Sequence, residues 1–110
     1  MKTEIDNAKL LHEVELVDVV EMSKNHPTTF ILPSYDRILK LKKGATVKLG
    51  FITEDEKVAT ERMWVIIKMI REDGSFIGAL DNDPFILKHL VFEDYVKFEA
   101  KNILDIYPGC

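Results

Sequence analysis

The chain has 110 residues, of which 46% are hydrophobic and 31% charged, and a net charge of −4. That length suits one domain able to bury a core of its own, with no need of a metal or disulfide to hold it. The acidic balance argues against nonspecific binding to nucleic acid or anionic lipid, since both need a basic surface.

Charge is unevenly spread. Residues 1–71 hold 12 Lys/Arg against 11 Asp/Glu, and residues 72–110 hold 3 against 8. The acidic C-terminal third reads either as a solvated surface or as a face for a basic partner. The single cysteine, Cys110, cannot form an internal disulfide, and it is not placed as a prenylation box requires. The first residues are too polar for a signal peptide, and no apolar run has the length of a membrane span. The expectation from these signals is a cytoplasmic protein.

In chain order, residues 1–12 read as a peripheral N-terminal arm and 13–110 as a single domain. Glu13–Val17 predicts a short strand, and Asp18 an N-cap for a helix over Val19–Asn25 that stops before Pro27. Thr28–Leu32 is short and β-rich. Ser34 predicts the cap of a second short helix, Tyr35–Leu41, which Gly44 closes.

From Ala45 the apolar period becomes two, with Ala45, Val47, Leu49 and Phe51 on one side of a half-buried strand. Thr53–Thr60 is a polar loop. Arg62–Arg71 is apolar on both faces, so it is expected at the sheet centre, covered on each side and flanked by Ala45–Ile52 and Ser75–Leu80. Asp73-Gly74 marks a hairpin, and Gly78 a bulge or a close backbone contact. Asp81–Pro84 is a turn cluster, Phe85–Leu90 a crossover, Tyr95–Ala100 another strand and Ile103–Tyr107 a closing apolar segment.

A faint internal echo links Leu41–Leu49 to Leu90–Phe98: a leucine, a turn, then a strand with Val-Lys at its centre. It suggests two strands entering the sheet in equivalent ways. The expected fold is α+β: a strongly curved, mostly antiparallel sheet, or a small partly open barrel, with one or two short N-terminal helices over an open face.

Several blocks together resemble the YegJ-like family of small bacterial proteins, a domain of unknown function. They are Glu61-Arg62-Met63-Trp64-Val65, then Gly78-x-Leu80-Asp81-Asn82-Asp83-Pro84, then Ile103-x-Asp105. Upstream, His26-Pro27-x-x-Phe30-x-x-Pro33-Ser34 and Lys43-Gly44-x-x-Val47-Lys48-Leu49 fit the same pattern, so the likeness spans residues 18–107. It implies a compact α+β domain of bacterial or phage origin, found alone or beside other interaction modules, and no catalytic residues. One departure is Glu93, where the pattern leads one to expect glycine; a turn of a different type is expected there.

No constellation points to catalysis. His12, His26 and His89 lack zinc-site spacing, and Asp81-Asn82-Asp83 runs into Pro84 where a calcium loop would bend at glycine. No nucleophile elbow or phosphate loop is present, so neither metal nor cofactor is expected. The sharpest feature is Trp64. Alternation places it with Ile66, Lys68 and Ile70, where the N-terminal helices would bury it for packing. The alternative makes it the wall of a ligand groove with Arg62, Asn82 and Asp83, extended by Tyr95, Phe85 and Tyr107. The leading functional reading is a non-enzymatic protein-binding module of immunity or anti-defence type, with a basic protein as partner. A small-ligand or nucleotide-binding domain near Trp64 is the first rival, and an enzyme with a dispersed acid pair the second.

Overall fold

The computed structural model describes residues 11–12, 14–25, 33–53, 60–87 and 90–108. In chain order these form β1 (Leu11–His12), α1 (Val19–Asn25), α2 (Tyr35–Leu39), β2 (Thr46–Ile52), β3 (Thr60–Ile70), β4 (Phe76–Leu80), β5 (Tyr95–Phe98), a 3-10 turn (Ala100–Asn102) and β6 (Ile103–Ile106). The strands make one six-stranded sheet in the order β1-β5-β4-β3-β2-β6. All neighbours are antiparallel except β1 and β5, where Leu11 and His12 pair in parallel with Tyr95 and Val96. The last two residues of the expected arm therefore belong to the sheet edge. The expected strand at 28–32, the end of the first helix at Pro27 and the loop at 54–59 lie outside the described residues.

Both helices start where their caps predict. The Asp18 carboxylate accepts from the Glu21 N–H at 3.0 Å, and the Ser34 hydroxyl accepts from the Arg37 N–H at 3.3 Å. β3 is central, between β2 and β4, as its apolar content demands. Its two faces are unequal, however. Met63, Val65 and Ile67 are sealed, while Trp64, Ile66 and Lys68 are only half-buried. The strand covered on both faces is β4, buried at every position.

The main core lies on the Val65 face. Val47, Leu49, Phe51, Val65, Ile67 and Phe98 belong to it, with Phe76 and Phe98 stacked at 5.1 Å. Ile38 and Leu41 of the α2 region pack there too, as does Leu16, which bridges to Phe51. A smaller cluster of Ile77, Ala79 and Tyr95, with Met69 against it, forms a second apolar group. A bulge between Ile67 and Met69 takes Lys68 out of the ladder, and another lies between Lys48 and Leu49. Bulges bend and twist the strands that carry them.

The sheet is curved but does not close, so the barrel expectation is corrected. Closure would need β1 and β6 to pair. β1 has only two residues, and β6 is blunted. The Tyr107 N–H donates to the Thr46 carbonyl at 2.9 Å, which turns the polar groups of Ile106 away from β2. Both are taken locally: the Ile106 carbonyl accepts from Arg37 Nη2 at 3.3 Å, and its N–H donates to Asp105 Oδ1 at 2.8 Å. Such side-chain plugs protect a free edge from pairing with another strand.

The echo between the two Leu-turn-strand units is structural. The Gly44 N–H donates to Ile67 and the Ile67 N–H to Ala45, each at 2.8 Å; the Glu93 N–H donates to Leu80 at 2.7 Å and the Leu80 N–H to Asp94 at 2.8 Å. Within each turn, Ala45 bonds back to Lys42 and Asp94 back to Val91, each at 3.0 Å. Val65 pairs with Leu80 and Ile67 with Gly78, so the two halves are related by a pseudo-two-fold axis through the Ile66–Ala79 pair. The expectation of a different turn at Glu93 is thereby corrected. Glu93 has φ 74°, in the same left-handed region as Gly44 at 97°.

A left-handed residue other than glycine costs about 1–2 kcal/mol. Glycine gives back part of that through its greater freedom when unfolded, about 0.5–1 kcal/mol. Glu93→Gly is thus expected to stabilise the protein by about 0.5–1 kcal/mol, read as a raised urea midpoint. An unchanged or lowered midpoint would mean that the Glu93 side chain compensates its own strain.

The β3–β4 hairpin turns at Asp73-Gly74, with Gly74 at φ 87°. The Asp73 carboxylate accepts from the Ser75 hydroxyl at 2.6 Å and from the Ser75 N–H at 2.9 Å. Those two bonds, the hydroxyl first, hold the carboxyl below its ordinary value of 3.8, helped by the charges of Arg71 and Lys97. A depressed carboxyl contributes stability that is present above its unfolded value and is lost as pH falls through the folded one. The Asp73→Asn variant should therefore lie a constant margin below the parent near neutrality. The margin should close only below about pH 4. A carboxyl titration followed by NMR, with a midpoint at or above the ordinary value, would contradict this.

Candidate functional site

The Trp64 neighbourhood is built by β3 and its two neighbours. In register, Lys48 of β2 lies opposite Trp64 and also opposite Asp105 of β6. The Lys48 ammonium sits 4.6 Å from the indole centroid, and the Tyr107 ring meets Trp64 edge-on at 5.5 Å and 86°. Contacts of these kinds contribute about 0.5–1 kcal/mol for a partly exposed cation over a ring and 0.5–1.5 kcal/mol for an aromatic pair.

The expected burial of Trp64 holds in part, but the cover expected from the N-terminal helices is corrected. Trp64 is half-buried, and its ring partners among the described residues are Lys48 and Tyr107. The physical reason lies in α2. Its side chain Ile38, and Leu41 just after the helix, pack on the main core, while Val17, ahead of α1, meets this face at Gly50 of the neighbouring strand.

The five residues singled out from the sequence do not converge. Arg62 is exposed, two residues from Trp64 on the same strand. Asn82 serves the backbone. Its side-chain oxygen accepts from the Trp64 N–H, while the Asp81 N–H donates to the Trp64 carbonyl at 2.9 Å. The turn after β4 thus extends the β3–β4 ladder by one more residue. Asp83 is exposed. Tyr95 is buried, opposite Ala79 and two strands away from β3. Two surface grooves, one between α2 and the end of β6 and one beside Val14 and Asn102, have none of the five on their walls.

A sixth residue organises this region and carried no role in the sequence reading. The Glu61 carboxylate accepts three consecutive backbone N–H groups, from Phe85, from Ile86 at 3.1 Å and from Leu87 at 3.0 Å. Successive N–H groups in a turn form an anion-binding concavity. Here the chain's own carboxylate fills it, and the start of the β4–β5 connection is pinned to β3. The sequence signal is Glu61 at the head of the Glu-Arg-Met-Trp-Val block, next to no other acid and at the start of an apolar strand.

Among the described residues no three His, Cys, Asp or Glu side chains cluster as metal ligands would. His26, His89 and the side chain of His12 lie outside them. No described helix is long and apolar enough to cross a membrane.

Fold and site together define a small α+β domain with an open, mostly antiparallel sheet. The chain belongs to the family of uncharacterised proteins conserved in bacteria known as DUF2314, whose model matches residues 7–107. No curated protein and no solved structure matches it.

Proposed function

We propose that this protein is a non-enzymatic binding module that receives a basic protein partner on its β4–β5 connection. The carrying observation is an exposed apolar group among carboxylates. Phe85 is 78% exposed, Val91 60% and Phe92 48%, and the same connection holds Asp81, Asp83, Glu93 and Asp94. A contiguous apolar patch with a polar rim marks an interaction surface, and we read these side chains, carried on one short connection, as such a patch. The Glu61 clamp presents Phe85 from an anchored backbone rather than a free loop, which lowers the ordering cost of binding.

The small-ligand reading at Trp64 is weaker, because Lys48 and Tyr107 already occupy the ring and Asn82 is committed to backbone. Size, acidity and single-domain build also suit an immunity or anti-defence protein, a likeness of type rather than of site. On the same footing we read the Glu61–Val65 and Gly78–Pro84 blocks as marking the YegJ-like branch of the family.

The test is affinity capture from a bacterial host with the whole chain as bait, beside Phe85→Ser/Phe92→Ser. Expected is a basic protein retained by the parent and lost by the variant, whose urea midpoint stays near that of the parent. Capture of the same proteins by both baits would sink the reading.

A further inference from the structure

A second surface, on a different part of the molecule, has the opposite character. Between α2 and the end of β6 lies an open groove of about 990 Å³. Leu41, Ala45 and Ile106 line it, with Arg37, Lys40, Lys42 and Lys43 around them. Within residues 33–45 these four cations face a single acid, Asp36, in a chain whose net charge is −4. Lys40, Lys42 and Lys43 are exposed, and among the described residues no carboxylate pairs with them. Leu39, 64% exposed, and Tyr107, 53% exposed, put apolar surface in the same groove.

We propose that this groove docks an acidic peptide segment of a partner protein. An aliphatic or aromatic anchor lies over Leu39 and Tyr107, and flanking carboxylates meet Lys40, Lys42 and Lys43. The charge complementarity is local. A cluster of one sign in a concave, partly apolar wall focuses its field on a ligand of the other sign, whatever the net charge of the chain.

Nucleic acid is disfavoured by that net charge, since a polyanion tracks an extended basic surface. An anionic membrane is disfavoured by shape, because a bilayer meets projecting side chains and cannot enter a groove. Addition of a β-strand is disfavoured as well: Arg37 and Asp105 already take the outward groups of Ile106, so recognition rests on side chains. This surface does not depend on the acidic connection proposed above, and the two stand or fall separately.

The test uses the whole chain to select from a displayed library of random dodecapeptides, with Lys42→Glu/Lys43→Glu as the counter-bait and Lys101→Glu as a control outside the groove. Both lysines of the pair are exposed, so the variant should melt with the parent, and a melting curve checks that it does. The selected peptides should be acidic and contain an aliphatic or aromatic residue. Their affinity should fall at least tenfold in the double variant, stay unchanged in Lys101→Glu and weaken as salt rises. Binding should also alter the fluorescence of Trp64, the only tryptophan, through its edge contact with Tyr107. Enrichment of neutral or basic peptides, or equal binding by the double variant, would overturn the proposal. So would binding to phosphatidylserine vesicles in place of acidic peptides. Sedimentation showing self-association that the double variant abolishes would overturn it too, by making a second copy the occupant.

Discussion

Gly78→Ala is expected to destabilise the protein by about 3 kcal/mol, at the upper end of overpacking costs. Propensity alone argues the other way, because glycine inside a strand is worse than alanine by about 0.5–1 kcal/mol. The site decides the sign. A Cβ built on Gly78 would run into Val65 Cγ1, approach the Ile66 carbonyl oxygen to 2.8 Å and the Phe98 ring to 3.2 Å. Val65 and Phe98 are fully buried core residues, and the Ile66 oxygen is backbone in the central strand, so none can give way cheaply. Gly78 pairs with Ile67, next to the bulge that removes Lys68 from the ladder. A methyl group there would press on that irregular register as well as on the core. The measurement is a urea melt of Gly78→Ala beside Gly78→Ser. Stability equal to the parent would show that the β3–β4 pairing can loosen enough to admit the methyl group.

Much of the sheet was legible because its signals are local. The period-two pattern from Ala45, the long apolar run of β3, Asp73-Gly74 and the caps at Asp18 and Ser34 each act within a few residues of themselves. Gly78 was legible as a close contact for the same reason: a strand gives up a side chain only where something fills its place. What escaped depends on distant partners. Leu11–His12 is too short to carry a pattern, and its parallel pairing with β5 is decided by where the chain enters the sheet. The face covering Trp64 was misjudged because the amphipathic pattern shows that a helix has an apolar side without saying which side of the sheet takes it. The turn at Glu93 escaped because the family pattern points to glycine there; the ladder bonds on either side impose the left-handed conformation regardless.

The pseudo-two-fold axis gives the two proposed surfaces a common origin. It carries Leu41-Lys42-Lys43-Gly44 onto Leu90-Val91-Phe92-Glu93, so the same backbone device stands at both ends of the central hairpin. The leucine anchors each turn on the core, and the residues after it project outward. At one end those are two lysines. At the other they are valine and phenylalanine, followed by Glu93 and Asp94. One fold thereby presents opposite charge at opposite corners, which suits a module that engages chemically different partners without their competing for one site.

Glu61→Ala is expected to cost about 2–3 kcal/mol. A hydrogen bond to a charged group contributes about 1.5–3 kcal/mol, and three sharing one carboxylate do not add. Loss of the acceptor would leave the N–H groups of Ile86 and Leu87, both half-buried, to find water, while Phe85 is exposed and its N–H is solvated more easily. Glu61→Gln keeps one carbonyl oxygen at the same place, so it should cost roughly 1 kcal/mol, as for a neutral bond replacing a charged one. The ordering of the two variants tests the clamp itself, since simple loss of side-chain packing would not distinguish glutamine so clearly from glutamate. Hydrogen exchange gives the local reading: the Ile86 and Leu87 amides should lose protection in Glu61→Ala while the β3–β4 ladder from Val65 onward keeps its own. A Glu61→Ala variant within about 0.5 kcal/mol of the parent, the range of ordinary surface substitutions, would mean that the connection is held in place by its other contacts. If the connection is the binding surface, Glu61→Ala should also weaken partner capture without touching an exposed residue of the patch, because Phe85 would then leave the position in which the clamp presents it.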